Sequence, residues 1–264
     1  MGYKLYVGGA RGSRVVCGQA FLRFGGDTSC YAITDGQYAL VIDAGSGLSN
    51  LKDVLAPCKK IDVVLSHLHY DHLVGFLDFE VFPKGVSPCV YGTFAQWGVG
   101  EGARSFVRKP FWPVPMPRQP LHQIERGVRY AFGLQAADTL YVTLHEANHP
   151  DYCSAIAVEV AGKKLLFLCD YEHGKPIPPA MAQSYDIMFY DAMYTPEEYE
   201  IRKGYGHSTM QEGVLLANKL GVKQLVLTHH APDRTDQDLY AMQTVLQQEI
   251  KTGLIAHSNM SFEL

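Results

Sequence analysis

Four side chains able to bind metal, His67, His69, Asp71 and His72, fall within six positions of one another in Ser66-His67-Leu68-His69-Tyr70-Asp71-His72-Leu73. The apolar run Ile61–Leu65 leads directly into them, so they are expected at the end of a buried strand. Imidazole and carboxylate suit zinc and similar borderline divalent ions, and a cluster poor in thiolate suits hydrolysis better than a structural role. More such residues follow other apolar runs: His149 in Asn148-His149-Pro150, Asp170 in Leu168-Cys169-Asp170, and His229 in Leu227-Thr228-His229-His230. A single histidine at a strand end is ordinarily hydrogen-bonded scaffold. Three such sites together with His-x-His-x-Asp-His form the pattern of a two-metal centre.

The elements that must position these residues can be read from turn residues and apolar period. Short strands are expected around Leu5–Val7, Ala20–Phe24, Tyr31–Thr34 and Ala39–Ile42, then the turn Asp43-Ala44-Gly45 and a short helix near Leu48–Leu55. A further short helix is expected to begin near Leu73, with Phe76 and Leu77 on its apolar side. Strands return at Leu140–Leu144, Ala155–Val160, Lys164–Leu168 and Asp186–Tyr190, several of them continuous apolar runs suited to sheets covered on both faces. Thr209 and Glu212 have capping-box spacing for a helix to Leu220, with Gly221 placed to end it. The strand Gln224–Thr228, an amphipathic helix over Gln237–Ile250 and a strand near Leu254–Ala256 complete the chain. Strand-rich and helix-bearing stretches occur in both halves, which points to a pseudo-symmetric sandwich. Residues 83–120 differ in kind: seven prolines interleave with Phe94, Trp97, Phe106, Phe111 and Trp112, which excludes a long helix or a central strand there. This insertion is expected to form an aromatic wall over the site.

The 264 residues are expected to form one domain, 1–264. Net charge is −4 with no basic block, which argues against nucleic-acid binding through an extended phosphate footprint. No apolar span long enough for a membrane helix occurs, and no Cys-x-x-Cys pair is found among the six cysteines. A cytoplasmic location with reduced thiols is the expectation.

The motif resembles that of metallo-β-lactamase-fold hydrolases of the binuclear type, over most of the chain. The resemblance implies an α/β four-layer αββα sandwich and two divalent metal ions, zinc first, with manganese and iron also fitting. It implies that His67, His69 and His149 bind the first metal, that Asp71, His72 and His229 bind the second, and that Asp170 bridges them. A narrower similarity, carried by Arg11-Gly12-Ser13, Arg23-Phe24-Gly25-Gly26-Asp27-Thr28-Ser29-Cys30 and Gly206-His207-Ser208-Thr209, is to the branch containing ribonuclease Z and phosphoribosyl cyclic phosphodiesterase. That similarity makes His207 the group assisting the leaving oxygen and Asp191 the acid orienting it, where family members often carry Glu. Catalytic residues are therefore expected at His207, Asp191 and Asp71, and substrate contacts at Ser208 and Thr209 ahead of a helix. His230 is expected to point away from His229, as supporting residue or exposed side chain, if the strand pleat continues. Arg11, Ser13, Asp27 and Thr28 are expected to shape loops under the site.

Three activities compete on this reading. The favoured one is phosphodiester hydrolysis by a metal-bound hydroxide on a small or cyclic substrate. The second is hydrolysis of a lactone, ester or thioester on the same fold. The third is a di-iron redox or sensor domain, disfavoured because relatives of that type typically carry Glu where this chain has His69. Only 20 residues separate His149 from Asp170, and 36 separate Asp170 from His207, leaving no long arm to hold tRNA. The expected partner is a small phosphodiester, without membrane or tRNA, and with a homodimer left open.

Overall fold

Strands that are apolar on both faces must be covered on both. The computed structural model, which describes residues 2–93, 109–110, 112–113, 121–134 and 139–264, does so by stacking two seven-stranded sheets. In chain order the strands are β1 (Lys4–Gly9), β2 (Cys30–Thr34), β3 (Tyr38–Ile42), β4 (Lys60–Val64), β5 (Cys89–Gly92), β6 (Leu121–Gln123) and β7 (Arg129–Phe132). There follow β8 (Leu140–Glu146), β9 (Ser154–Val160), β10 (Lys163–Leu168), β11 (Ile187–Asp191), β12 (Gln224–Thr228), β13 (Leu254–Ile255) and β14 (Ser261–Glu263). The helices are α1 (Lys52–Leu55), α2 (Pro196–Arg202), α3 (Met210–Leu220) and α4 (Asp236–Glu249).

The two sheets repeat one pattern. The first runs β14-β1-β2-β3-β4-β5-β6 and the second β7-β8-β9-β10-β11-β12-β13; in each, three antiparallel pairings give way to three parallel ones. The strand pleat divides each apolar run between layers. Leu40 and Ile42 face the core between the sheets with Val142, Phe167 and Phe189, whereas Ala39 and Val41 face outward onto Leu48, Leu51 and Leu55. On the second sheet Met188 and Tyr190 turn outward onto α3 (Val214, Ala217) and α4 (Leu239, Leu246). This is the four-layer αββα sandwich.

Several elements depart from expectation. Ala20–Phe24 is no strand: Gln19–Phe21 forms a 3₁₀ turn, Leu22 is 78% exposed, and the Arg23 and Phe24 amides bond the Asp236 carboxylate rather than a neighbouring strand. The helix expected near Leu73 is broken into 3₁₀ turns at Tyr70–His72 and Val74–Leu77, because the Gly75 amide bonds the Ala44 carbonyl (2.8 Å). Thr209 caps α3 by accepting from the Glu212 amide, but the reciprocal box forms instead at Thr195–Glu198 of α2 and Thr235–Asp238 of α4. Most of the aromatic wall expected over 83–120 lies outside the described residues; its first part holds β5, whose flanking Pro88 obscures it in sequence. Among the described residues no helix is long and apolar enough to cross a membrane.

One polar link crosses the apolar core directly below the candidate site. Tyr31 of the first sheet packs on Phe167 and Phe189 of the second, and its hydroxyl bonds Thr228 Oγ1 (2.6 Å) while accepting from Cys169 Sγ (3.5 Å). Tyr31→Phe leaves buried Thr228 and Cys169 without that partner, so a loss of about 1–3 kcal/mol in unfolding free energy is expected in urea titration.

Candidate metal centre

Each candidate ligand stands just beyond the carboxyl end of a strand. The His67–His72 loop follows β4, His149 follows β8, Asp170 follows β10, Asp191 ends β11, and His229 follows β12. β10, β11 and β12 are consecutive parallel neighbours, with Leu168 opposite Tyr190 and Asp191 opposite Thr228, so their ends deliver side chains to one edge.

There the structure brings together His67, His69, His149 and Asp170 in one group and Asp71, His72 and His229 in another. The two carboxylate oxygens of Asp170 face different groups. Oδ2 lies 3.6 Å from His67 Nε2 and 3.7 Å from His149 Nε2, while Oδ1 lies 2.9 Å from His72 Nε2 and 3.2 Å from His229 Nε2. Asp71 Oδ2 is 3.5 Å from His72 Nε2 and 3.3 Å from His229 Nε2. Metal–ligand bonds of about 2.0–2.1 Å at tetrahedral angles place neighbouring donors about 3.4 Å apart, the range spanned by these distances. His72 Nε2 and Asp170 Oδ1 are close yet misaligned for a hydrogen bond, and both remain, with His67 Nε2, buried without a hydrogen-bond partner. Lone pairs that converge on common points rather than on each other fit a bound cation.

The ligand rings are held from behind. Asp43 accepts from the Ser66 amide (2.7 Å), the Ser66 hydroxyl and His72 Nδ1 (2.8 Å), itself in a left-handed conformation at φ 55°. Because Ser66 gives its hydroxyl proton to Asp43, its oxygen accepts from His67 Nδ1 (3.0 Å), and both histidines are held through Nδ1 with Nε2 turned toward Asp170. His69 Nε2 bonds Asp151 Oδ2 (2.6 Å), leaving Nδ1 as its available donor atom. Asp71 accepts from the Ser13 amide (2.7 Å) and its own carbonyl accepts from Thr28 Oγ1 (2.6 Å), so the early loops do shape the floor of the site.

Electrostatics follow from the burial of so many charges. Burial opposes the charged form of His72, but Asp170, Asp71 and Asp43 outweigh it and hold the ring well above its ordinary pKa. Burial likewise opposes ionisation of Asp170 and Asp71, yet the surrounding histidines hold both below the ordinary carboxylate range. His67 and His149 are pushed down, chiefly by burial, toward the neutral form that ligates metal.

His207 Nδ1 lies 2.8 Å from Asp191 Oδ2, so the shorter acid does reach it. Asp191 is fully buried and fixed by the amides of Tyr171 (3.2 Å) and Met193 (3.1 Å). The His207 ring sits 4.8 Å from that of His229 and 6.0 Å from that of His149, and with Asp170 and His229 it forms a third group able to hold a metal. Burial lowers its pKa, but Asp191 outweighs burial and raises it to about 9.

Ser208 and Thr209 are placed otherwise than expected. The Ser208 hydroxyl is fully buried between Tyr190 Oη and His173 Nδ1, both at 2.8 Å, and Thr209 Oγ1 caps α3; both hydroxyls serve the scaffold and neither is open to substrate. His230 is buried, because the pleat stops: His229 turns left-handed at φ 56°, which sends His230 into the interior, where Nε2 bonds the Ala256 carbonyl (2.9 Å). His145 and His173 stay outside the groups of candidate ligands.

Glu172 is a residue that sequence reasoning missed. Buried two positions after Asp170, its carboxylate accepts from the Gly204 amide (2.7 Å), the Gly206 amide (3.1 Å) and the Tyr199 hydroxyl (3.1 Å). It thereby fixes the turn before His207. Gly206, at φ 92°, runs so close to His149 that a Cβ there would stand 2.3 Å from the ring, so only glycine fits. Nothing in the spacing of Asp170-Tyr171-Glu172 signals this; the only hint is a second acid at the same strand end.

A family model described as the beta-lactamase superfamily domain matches residues 38–230. The chain belongs to this superfamily. Its fold is the metallo-β-lactamase fold, and it carries a candidate metal-binding His/Asp cluster. The probable metallo-hydrolase YhfI of Bacillus subtilis is 24% identical over 204 residues, covering 76% of this chain and 79% of that protein. The YhfI crystal structure superposes with a TM-score of 0.72 at 19% identity over 99% of both chains. A ribonuclease Z of Brevibacillus brevis is 31% identical over 97 residues, which span 37% of this chain and only 30% of that enzyme. The crystal structure of a diphosphatase from the PhnP family superposes with a TM-score of 0.70 at 20% identity, over 100% of this chain and 98% of that one.

Two outcomes are expected from this superfamily member's supporting contacts. Asp43→Ala frees both ligand rings on its side, so zinc affinity measured by chelator competition falls about 10–100-fold. Glu172→Gln removes a charged acceptor but keeps its volume; metal content stays at the unsubstituted level, while amide exchange at Gly204 and Gly206 accelerates about tenfold or more.

Proposed function

We propose that this protein is a binuclear metal-dependent phosphodiesterase acting on a small or cyclic phosphodiester. His67, His69 and His149 would hold one divalent ion, Asp71, His72 and His229 the other, and Asp170 both, with zinc the first candidate and manganese or iron fitting the same donors. The observation that carries the phosphodiester reading is the Asp191–His207 pair at the edge of the cluster, joined at 2.8 Å. When bound, two divalent ions neutralise phosphate charge and acidify water for attack, bringing its pKa from 15.7 toward roughly 7.

The remaining work falls to this chain's side chains. Asp191 fixes the His207 ring through Nδ1, which leaves Nε2 as the nitrogen free to donate. An imidazolium held in this way gives its Nε2 proton to the departing ester oxygen, a contribution typically worth about 10²–10⁴-fold. Asp71, held by the Ser13 amide, keeps its carboxylate oriented toward the second group. Phosphodiester cleavage needs such a donor because an alkoxide leaves poorly. Support also comes from the ribonuclease Z and PhnP-family likenesses, and the short spacings between His149, Asp170 and His207 favour a small substrate over tRNA.

Protein loaded with zinc or manganese should hydrolyse bis(p-nitrophenyl) phosphate, and His67→Ala or Asp170→Ala should abolish the activity. Turnover of a lactone or thioester panel with no phosphodiester cleavage would overturn the proposal. His207→Ala should keep full metal content by elemental analysis while losing about 10²–10⁴-fold in kcat for alkyl leaving groups and much less for p-nitrophenolate. Loss of metal from that variant would make His207 a ligand instead.

A further inference from the structure

A cavity of about 240 Å³ opens beside the Asp191–His207 pair, lined by Arg14, Met193, Tyr194, Glu198, Arg202, Ala231, Pro232 and Asp233. Three of its lining residues adjoin the candidate centre. Arg14 directly follows Ser13, whose amide holds Asp71. Met193 Cε and the His229 ring press on the same side of Gly12, each within 2.6 Å of where a Cβ would stand. The Tyr194 ring lies 5.7 Å from that of His207.

Its charges are unevenly matched. Glu198 is engaged by Arg234 and by the Thr195 amide. Arg202 lies over the Tyr194 ring, 5.4 Å from its centroid, and neither Arg202 nor Arg14 has a carboxylate partner within ion-pair distance among the described residues. The last turn of α2 accounts for a cation at Arg202 through the helix dipole. It does not account for a second guanidinium from a different loop on the same cavity. Two guanidinium groups around one concave, aromatic-walled space, with Asp233 the acid left to oppose them, match an oxyanion carried on an apolar body.

We infer that this cavity is a specificity subsite that binds a second anionic group of the substrate, a phosphate or carboxylate on the ester arm remote from the reacting phosphorus. The inference rests on the phosphodiesterase reading for its substrate, but not for the binding itself. Arg14 and Arg202 supply forked donors to the oxyanion, while Tyr194, Met193 and Pro232 cover the adjoining apolar part. Neither arginine takes part in bond cleavage, so each acts on KM rather than kcat.

The test compares p-nitrophenyl phosphodiesters whose second arm is neutral phenyl, benzoate or phenyl phosphate. The anionic arms should lower KM about tenfold relative to phenyl, and the stronger of the two identifies the natural group. Arg14→Gln and Arg202→Gln should each raise KM about tenfold for the anionic arms and leave the phenyl-arm kinetics unchanged. Asp233→Asn should lower KM for the anionic arms. Equal effects on all three arms, or none, would overturn the inference. A second readout needs no turnover: the arginine Nε–H signals of Arg14 and Arg202 in the metal-loaded protein, assigned from the two variants, should shift on titration with phenyl phosphate. If those signals move while no phosphodiester is cleaved, the subsite stands and the phosphodiesterase reading fails; if they stay still, the subsite fails.

Discussion

Four carboxylates with almost no exposure, Asp43, Asp71, Asp170 and Asp191, are gathered at one edge of this sandwich, and the rest of the structure answers to them. An isolated buried carboxylate is prohibitively costly, so each must meet cations, amides or hydroxyls. Asp43 meets Ser66 and His72; Asp191 meets His207 and two amides; Asp71 meets the Ser13 amide. Asp170 alone has imidazoles on every side and a buried oxygen that no hydrogen bond satisfies. That oxygen is where the protein's own hydrogen bonds stop and where a bound cation would fit.

The two sheets make such a concentration tenable. Parallel neighbours β10, β11 and β12 end together, so Asp170, Asp191 and His229 arrive at one place without long loops. The apolar layers on both faces keep water from screening them, which strengthens every contact among charges. Tyr31 then ties the first sheet to the second within hydrogen-bond reach of Thr228, next to His229. Rigid strands thus carry the residues that must be precise, and the turns behind them carry the polar supports.

Much of this was legible in the sequence because the decisive signals are local. Ser66–Leu73 packs four ligand types behind an apolar run, and Leu168-Cys169-Asp170 and Leu227-Thr228-His229 repeat that grammar. What escaped was set by distant partners. Ala20–Phe24 looks like a strand by composition, yet Asp236, more than two hundred residues away, takes its amides. Ser208 precedes a helix and resembles an anion cradle, yet Tyr190 and His173 occupy its hydroxyl. β5, β6, β7 and β14 are three or four residues long, too short for any period to declare itself. The choice between a supporting and an exposed His230 was decided by a single backbone angle at His229, which no side-chain pattern announces.

That left-handed turn also ties the two ends of the chain. The His230 amide bonds the Ala10 carbonyl and the Gly12 amide bonds the His230 carbonyl, so residues near the start and near the finish form one short bridge at the centre's floor. During synthesis the His67–His72 loop is made early, but the last imidazole, His229, arrives only after some 160 further residues. Contacts of such sequence separation form slowly, because the loop they close must be ordered first. The cluster is therefore a late product of folding, and an ion met by the nascent chain would find only four of its seven candidate donors.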